Sequence, residues 1–221
     1  MLRAVIFDVD GTIVDSNELH VESWDETFRK YGKQFTRAQL HSQIGKGGDQ
    51  YVPAFLDERE VRAFGKQLEH DRGELYKQKY MPRVRPFPQV RELFERIRGG
   101  GKQIALASSG KDDELKHYIS LCGIDGLVDA QTTKDDVAQS KPHPDVFLAA
   151  LRKLRSVPVD EAIVVGDSPF DVIAAKRILL PAIALLCGGF SDDELRAEGA
   201  VGIFRDPADL LENYERSPLA G

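Results

Sequence analysis

The sequence predicts an α/β fold, a mostly parallel sheet core interrupted by an all-helical insert, on three observations. Short apolar runs at 4–7, 103–107, 162–165 and 182–186 have the continuous hydrophobicity of strands buried on both faces. Amphipathic helical stripes alternate with these runs from Pro88 onward, the pattern of βαβ units and hence of a parallel sheet. Between about residues 16 and 82 only helical stripes occur, with no strand-like run.

Taken in order, Ala4-Val5-Ile6-Phe7 makes the first strand, followed by Asp8, Val9 and Asp10. Val21, Trp24, Phe28 and Tyr31 then recur at helical spacing, and Gly32 suits the end of that helix. Polar segments at 39–44 and 51–56 flank Gly45-Lys46-Gly47-Gly48, and Val61, Phe64, Leu68 and Leu75 give a further stripe. Met81-Pro82, Pro86 and Pro88 break the pattern and mark a linker. Beyond it, Val90, Leu93, Phe94 and Ile97 predict a helix closed by Gly99-Gly100-Gly101, and Gln103 to Ala107 a strand. Residues 115–121 read as a helix and 126–130 as a short strand. Pro144 suits the first position of the helix that carries Val146, Phe147, Ala150, Leu151 and Leu154. Strands at 162–165 and 182–186, a weak one at 201–204 and a short helix at 208–214 complete the chain.

A hydrophobic fraction of 42%, a charged fraction of 30% and a net charge of −6 describe a soluble globular protein and argue against nucleic acid as a partner. No apolar run approaches a membrane span, and no signal-peptide pattern opens the chain. Two cysteines in apolar surroundings, Cys122 and Cys187, read as buried thiols of a cytoplasmic protein. A monomer or weak homodimer is expected.

The chemistry lies at strand ends. Asp8 stands where the first strand stops, at the carboxyl edge where open α/β sheets hold ligands, and Asp10 is two residues on. Carboxylates that close repel unless a cation or shared proton relieves them. Ser108-Ser109-Gly110 follows the next strand and offers hydroxyls and backbone N–H groups, either to an anion or as a helix cap. Lys141, between Ser140 and Pro142, is a loop cation. Asp167 and Asp171 sit four apart at a strand-to-helix junction and can converge. If all four carboxylates meet, a hard divalent cation is required, and Mg²⁺ is natural beside a phosphate.

These segments resemble the four motifs of the haloacid dehalogenase-like (HAD) hydrolases, in the family's order. Asp8-Val9-Asp10-Gly11-Thr12 matches the first, Ser108 the second, Lys141-Pro142 the third and Gly166-Asp167-Ser168-Pro169-Phe170-Asp171 the fourth. The resemblance implies a Rossmann-like core of residues 1–15 and 83–221, with a helical cap domain inserted at 16–82. It implies Asp8 as nucleophile and Asp10 as acid and base. It implies Ser108, the Ser109 N–H and Lys141 as phosphate ligands. Mg²⁺ would be held by Asp8, Asp10 through its main-chain carbonyl, Asp167 and Asp171, the last directly or from behind. The substrate would be a small phosphomonoester of the sugar phosphate or phosphoglycolate type.

His20 stands where β-phosphoglucomutase-like members also carry His; it reads either as a substrate-site residue or as a helix-surface histidine beside Trp24. Lys46, with Gln50 nearby, is the candidate for reaching the substrate from the cap. The three glycines around Lys46 predict a mobile loop that admits water, which favours a phosphatase over a phosphoglucomutase-type mutase. A dehalogenase would not need the acid cluster, and a phospho-accepting receiver module would lack the helical insert.

Overall fold

A computed structural model describes all residues, Met1–Gly221. Strand β1 (Ala4–Phe7) is wholly buried, and the next pairing segment, β2 (Val14–Asp15), leads out of the core. Helix α1 (Asn17–Lys30) follows, with short helices α2 (Arg37–His41) and α3 (Gly48–Tyr51). A long irregular helix comprises α4 (Glu58–Glu60) and α5 (Lys66–Leu75) with wider π turns after each. The chain returns through β3 (Arg85–Pro86), which pairs antiparallel with β2, Val14 opposite Pro86 and Asp15 opposite Arg85. The two chain crossings between sheet core and helical segment are thus joined as one ribbon.

The remainder alternates: α6 (Val90–Gly99), β4 (Gln103–Ala107), α7 (Asp112–Leu121), β5 (Ala130–Thr132), α8 (Asp145–Lys153), β6 (Ala162–Gly166), α9 (Pro169–Lys176), β7 (Ala182–Leu185), α10 (Asp192–Glu198), β8 (Gly202–Phe204) and α11 (Pro207–Glu212). The six core strands run parallel in the order β5-β4-β1-β6-β7-β8. Because side chains alternate along a strand, Val5 and Phe7 enter one core layer and Ala4 and Ile6 the other. The first layer takes the apolar stripes of α6, α7 and α11, and the second those of α8, α9 and α10. A third, separate cluster of nine buried residues, including Trp24, Phe28, Tyr51 and Leu68, holds the helical segment together.

Four readings need adjusting. The strand placed at 126–130 lies at Ala130–Thr132, because residues 123–128 form turns and β4 first pairs at Ala130. Pro144 caps α8 from outside, and the helix begins at Asp145. Helix α10 was not anticipated, since it buries only Leu195; its Ser191–Glu194 capping box was the readable signal. Both cysteines are free, but only Cys122 is buried, and burial pushes its thiol up to about 12; Cys187 is half-buried. No helix is long and apolar enough to cross a membrane.

Candidate active site

The site is built where β1, β4 and β6 end. The Asp8 N–H donates to Val165 O at 2.8 Å, so the ladder carries this residue one step past the strand. The chain then folds back sharply: the N–H groups of Thr12, Ile13 and Val14 all reach Val9 O. Gly11 makes the turn at φ +73°, where a Cβ would also lie 2.4 Å from both Asn17 Nδ2 and Asp167 Oδ2. Asp167 follows β6, and Ser168 caps α9 through a reciprocal box with Asp171. That box holds Asp171 Oδ2, which accepts from the Ser168 hydroxyl at 2.6 Å and its N–H at 3.1 Å.

Lys141, from the loop between β5 and α8, enters this acid cluster fully buried. Its ammonium donates to Asp8 Oδ1 and, at 2.8 Å, to Asp171 Oδ1. Oxygens of Asp8, Asp167 and Asp171 lie within 4.8 Å of one another, and all three residues are buried. Burial drives the Asp8 carboxyl well above its ordinary value; Lys141 opposes that rise, while Asp171 and Asp167 add to it. Asp167 is pushed up to about 7 by burial and then by Asp171, against the hydrogen bonds from Thr12 and Asn17. Burial would depress the Lys141 ammonium, but Asp171 and Asp8 outweigh it and raise it. With all three carboxylates ionised, the one ammonium leaves the cluster short of two positive charges. A buried, oxygen-only set of this kind fits a hard divalent cation.

Asp10 does not join them. The expectation of four converging carboxylates is corrected to three, because Asp10 lies beyond the strand and its side chain turns to the helical segment. Its Oδ1 accepts from Ser16 Oγ at 2.7 Å and meets His20 Nε2 at 2.8 Å. Arg72, from α5, donates to His20 Nδ1 and, at 3.1 Å, to Ser23 Oγ. Arginine can only donate, so Nδ1 must accept, and the N–H of a neutral ring sits at Nε2, facing Asp10. His20 also stacks on Tyr76 with centroids 4.2 Å apart, and the Arg72 guanidinium lies over Tyr76 and Trp24. Burial alone would raise the Asp10 carboxyl, but His20, the Ser16 hydroxyl and Arg72 hold it below its ordinary value. His20 is therefore no surface histidine. Arg72 gave no local signal, since it lies on a helix 52 residues away from its partner.

Ser108 is buried and accepts from the Gly110 N–H at 2.9 Å, leaving its own proton available. Ser109 lies at the cavity with Gly110 and Lys111, facing Asp8, Asp10, His20, Lys46, Arg72 and Lys141. Of eighteen lining residues only Trp24 and Ile44 are hydrophobic, which makes this a polar cleft between sheet edge and helical segment. Lys46 lies over the Phe170 ring and bonds Gln43 Oε1 at 2.5 Å; burial lowers its ammonium. Gln50 does not line the cavity and bonds Asp49 at 3.1 Å.

The glycines flanking Lys46 serve close approach, which corrects their reading as a mobile loop. A Cβ on Gly45 would lie 2.5 Å from Ser168 Oγ, and one on Gly47 2.7 Å from Ser140 Cβ. The Gly47 N–H donates to Ser140 Oγ at 3.0 Å, and Ser140 in turn donates its hydroxyl and N–H to the Asp49 carboxylate at 2.5 and 3.1 Å.

Known proteins resemble this chain over most of its length. The chain is 30% identical over 179 residues to the pyrophosphatase PpaX of Bacillus velezensis, covering 80% of this chain and 79% of the relative. It is 27% identical over 212 residues to a phosphorylated carbohydrates phosphatase of Thermotoga maritima, covering 95% and 97%. The crystal structure of a hydrolase from Pseudomonas syringae superposes with a TM-score of 0.89 at 29% identity, covering 98% and 99%. The sequence profile of the haloacid dehalogenase-like hydrolases matches residues 5–185, all four strand-end clusters included, and the chain belongs to that family.

Proposed function

We propose that this chain is a Mg²⁺-dependent phosphatase that hydrolyses a small phosphomonoester through an aspartyl-phosphate on Asp8. The observation that carries this reading is the pairing of Asp8 with a buried Lys141 at the edge of a polar cleft that also holds Asp10. The relatives named above act, by their names, on pyrophosphate and on phosphorylated carbohydrates, and both activities cleave a P–O bond.

In the first step the Asp8 carboxylate attacks phosphorus, an O–P bond forms and the P–O bond to the leaving alcohol breaks. Lys141 neutralises the incoming phosphoryl oxygens, and the Ser108 hydroxyl and Ser109 N–H offer further donors. Asp10 delivers a proton to the leaving oxygen and then takes one from the water that attacks the aspartyl-phosphate. The proton that Asp10 delivers is thus recovered from the attacking water, and His20, held as the Nε2–H tautomer by Arg72, orients the Asp10 carboxylate by donating to it. Mg²⁺ bound by Asp8, the Asp10 main-chain carbonyl and Asp167 would offset charge on the transferring group. Asp171 holds Lys141 with Oδ1 and the start of α9 with Oδ2.

Residues 16–82 act as a cap over the core of 1–15 and 83–221, with the β2–β3 ribbon as the joint and Lys46 reaching the substrate's polar end. The preference for hydrolysis over phosphoryl transfer to a second sugar rests on the relatives. The docked glycine loop does not support it.

A panel of phosphomonoesters and pyrophosphate with Mg²⁺ tests this reading, with Asp8→Asn and EDTA as controls. Phosphate release should be lost in both controls. Beryllofluoride with Mg²⁺ should form its adduct on Asp8, and H₂¹⁸O should label phosphate at every turnover. Lys46→Ala should weaken the preferred substrate much more than an aryl phosphate. Conversion of β-glucose 1-phosphate to glucose 6-phosphate faster than phosphate release would establish the mutase instead. Turnover of a haloacid in chelator would establish a dehalogenase.

A further inference from the structure

We propose that Asn17 is the positioning residue for Asp167, an inference that rests on the reading of Asp167 as a ligand for a divalent cation. Asn17 is buried at the start of α1, and its amide nitrogen lies 2.9 Å from Asp167 Oδ2 and 2.9 Å from Gly188 O. An amide nitrogen carries two hydrogens, and these two acceptors use both. The orientation of the amide is thereby fixed, since the opposite one would press its oxygen against two acceptors.

The other Asp167 oxygen is fixed as well, by the Thr12 hydroxyl at 2.8 Å. Each carboxylate oxygen thus takes one protein donor and keeps lone-pair capacity for a cation. The fork has no slack. A Cβ on Gly188 would lie 1.9 Å from Asp167 Oδ2, and one on Gly11 2.4 Å from both Asn17 Nδ2 and Asp167 Oδ2. Gly188 O is braced from the helical segment too, by His41 Nε2 at 3.0 Å.

The remaining atom of the amide is unpartnered. Asn17 Oδ1 is buried and has no hydrogen-bond partner anywhere in the protein. Buried acceptors are rarely left so, and an unpaired one beside a polar site calls for an ion or water. Asn17 therefore orients the acid with its nitrogen.

The test measures metal binding directly. Mn²⁺ alone is titrated into metal-free wild type, Asn17→Leu, Asn17→Ala and Thr12→Val, and bound ion is read from loss of the free-ion EPR signal. Melting curves at each Mg²⁺ concentration give a second midpoint. Loss of groups that orient a metal ligand typically weakens metal affinity about 10–100-fold. Both Asn17 variants should show that shift, and Thr12→Val a shift in the same direction. A purely structural role would lower the melting temperature equally at every Mg²⁺ concentration and leave both midpoints in place, and this overturns the proposal. Asn17→Ala keeps the test available if the leucine does not fold. If wild type itself shows no midpoint, the cation reading falls and the proposal with it. A wild-type midpoint unchanged in the Asn17 variants refutes the positioning role alone.

Discussion

Lys141 is the residue on which the charge balance of the site turns. A lysine only 1% exposed is held there by Asp8 and Asp171, and those acids are tolerable there because of it. Removing one partner of such a group leaves uncompensated buried charge, a loss of about 3–5 kcal/mol. Lys141→Met should therefore lower the melting temperature strongly in metal-free buffer. Added Mg²⁺ should narrow the gap to wild type, because it supplies part of the missing positive charge. Equal melting temperatures in metal-free buffer would show that the cluster is already neutralised by protons.

At the scale of elements, α9 links helix formation to chemistry. Ser168, Pro169 and Asp171 form a helix start, with Asp171 returning to the Ser168 N–H. The same carboxylate holds Lys141 with its other oxygen. Ser168→Ala should cost about 1 kcal/mol through the lost cap. It should also lower the rate of phosphate release more than KM, since Asp171 gains rotational freedom behind Lys141. A variant that melts earlier with unchanged kcat would confine Ser168 to capping. The Gly166 backbone shows how little room Asp171 has, since a Cβ there would lie 2.5 Å from its Cγ.

At the scale of the whole molecule, the helical segment meets the core through polar contacts beside the site. Glu69 bonds Lys134 at 2.8 Å and Lys77 bonds Asp113 at 2.6 Å, but partly exposed pairs of this kind contribute little. The Asp49–Ser140 contact is more directed, because it adjoins Lys141 and buries Ser140. Burial would raise the Asp49 carboxyl, but the Ser140 hydroxyl and N–H outweigh it and lower it. A carboxyl depressed in the folded state adds stability above its unfolded value of about 3.9, and that is lost as pH falls through the folded value. The contact is thus intact at neutral pH and opens only in acid. Asp49→Ala should weaken the closed arrangement by about 0.5–1.5 kcal/mol. Proteolysis of the helical segment at pH 7 should quicken, and Trp24, the only tryptophan, should change its emission. At a pH below the folded value the variant and wild type should converge. A persistent difference there would assign the effect to something other than the carboxylate.

The sequence by itself determined the sheet, the helical insert and the identity of the core acids. Buried parallel strands are continuous apolar runs, and a chain leaving such a strand must place its next residues at the ligand-binding edge. Asp8, Asp167 and Asp171 were legible because each stands in a short local pattern next to such a run or turn, and Lys141 through the resemblance of Lys141-Pro142 to the family's third motif. Tertiary structure alone decided which acids share the cluster. Asp10 sits two residues from Asp8 in sequence, yet the turn at Gly11 and the bonds from Ser16 and His20 send it to the other wall of the cleft. The partner that fixes the His20 tautomer, Arg72, comes from a different helix, and no local period announces a contact across 52 residues. The glycines around Lys46 carry the same lesson. A glycine-rich stretch is compatible with mobility or with close backbone approach, and only the position of Ser140 and Ser168 opposite it selects the second.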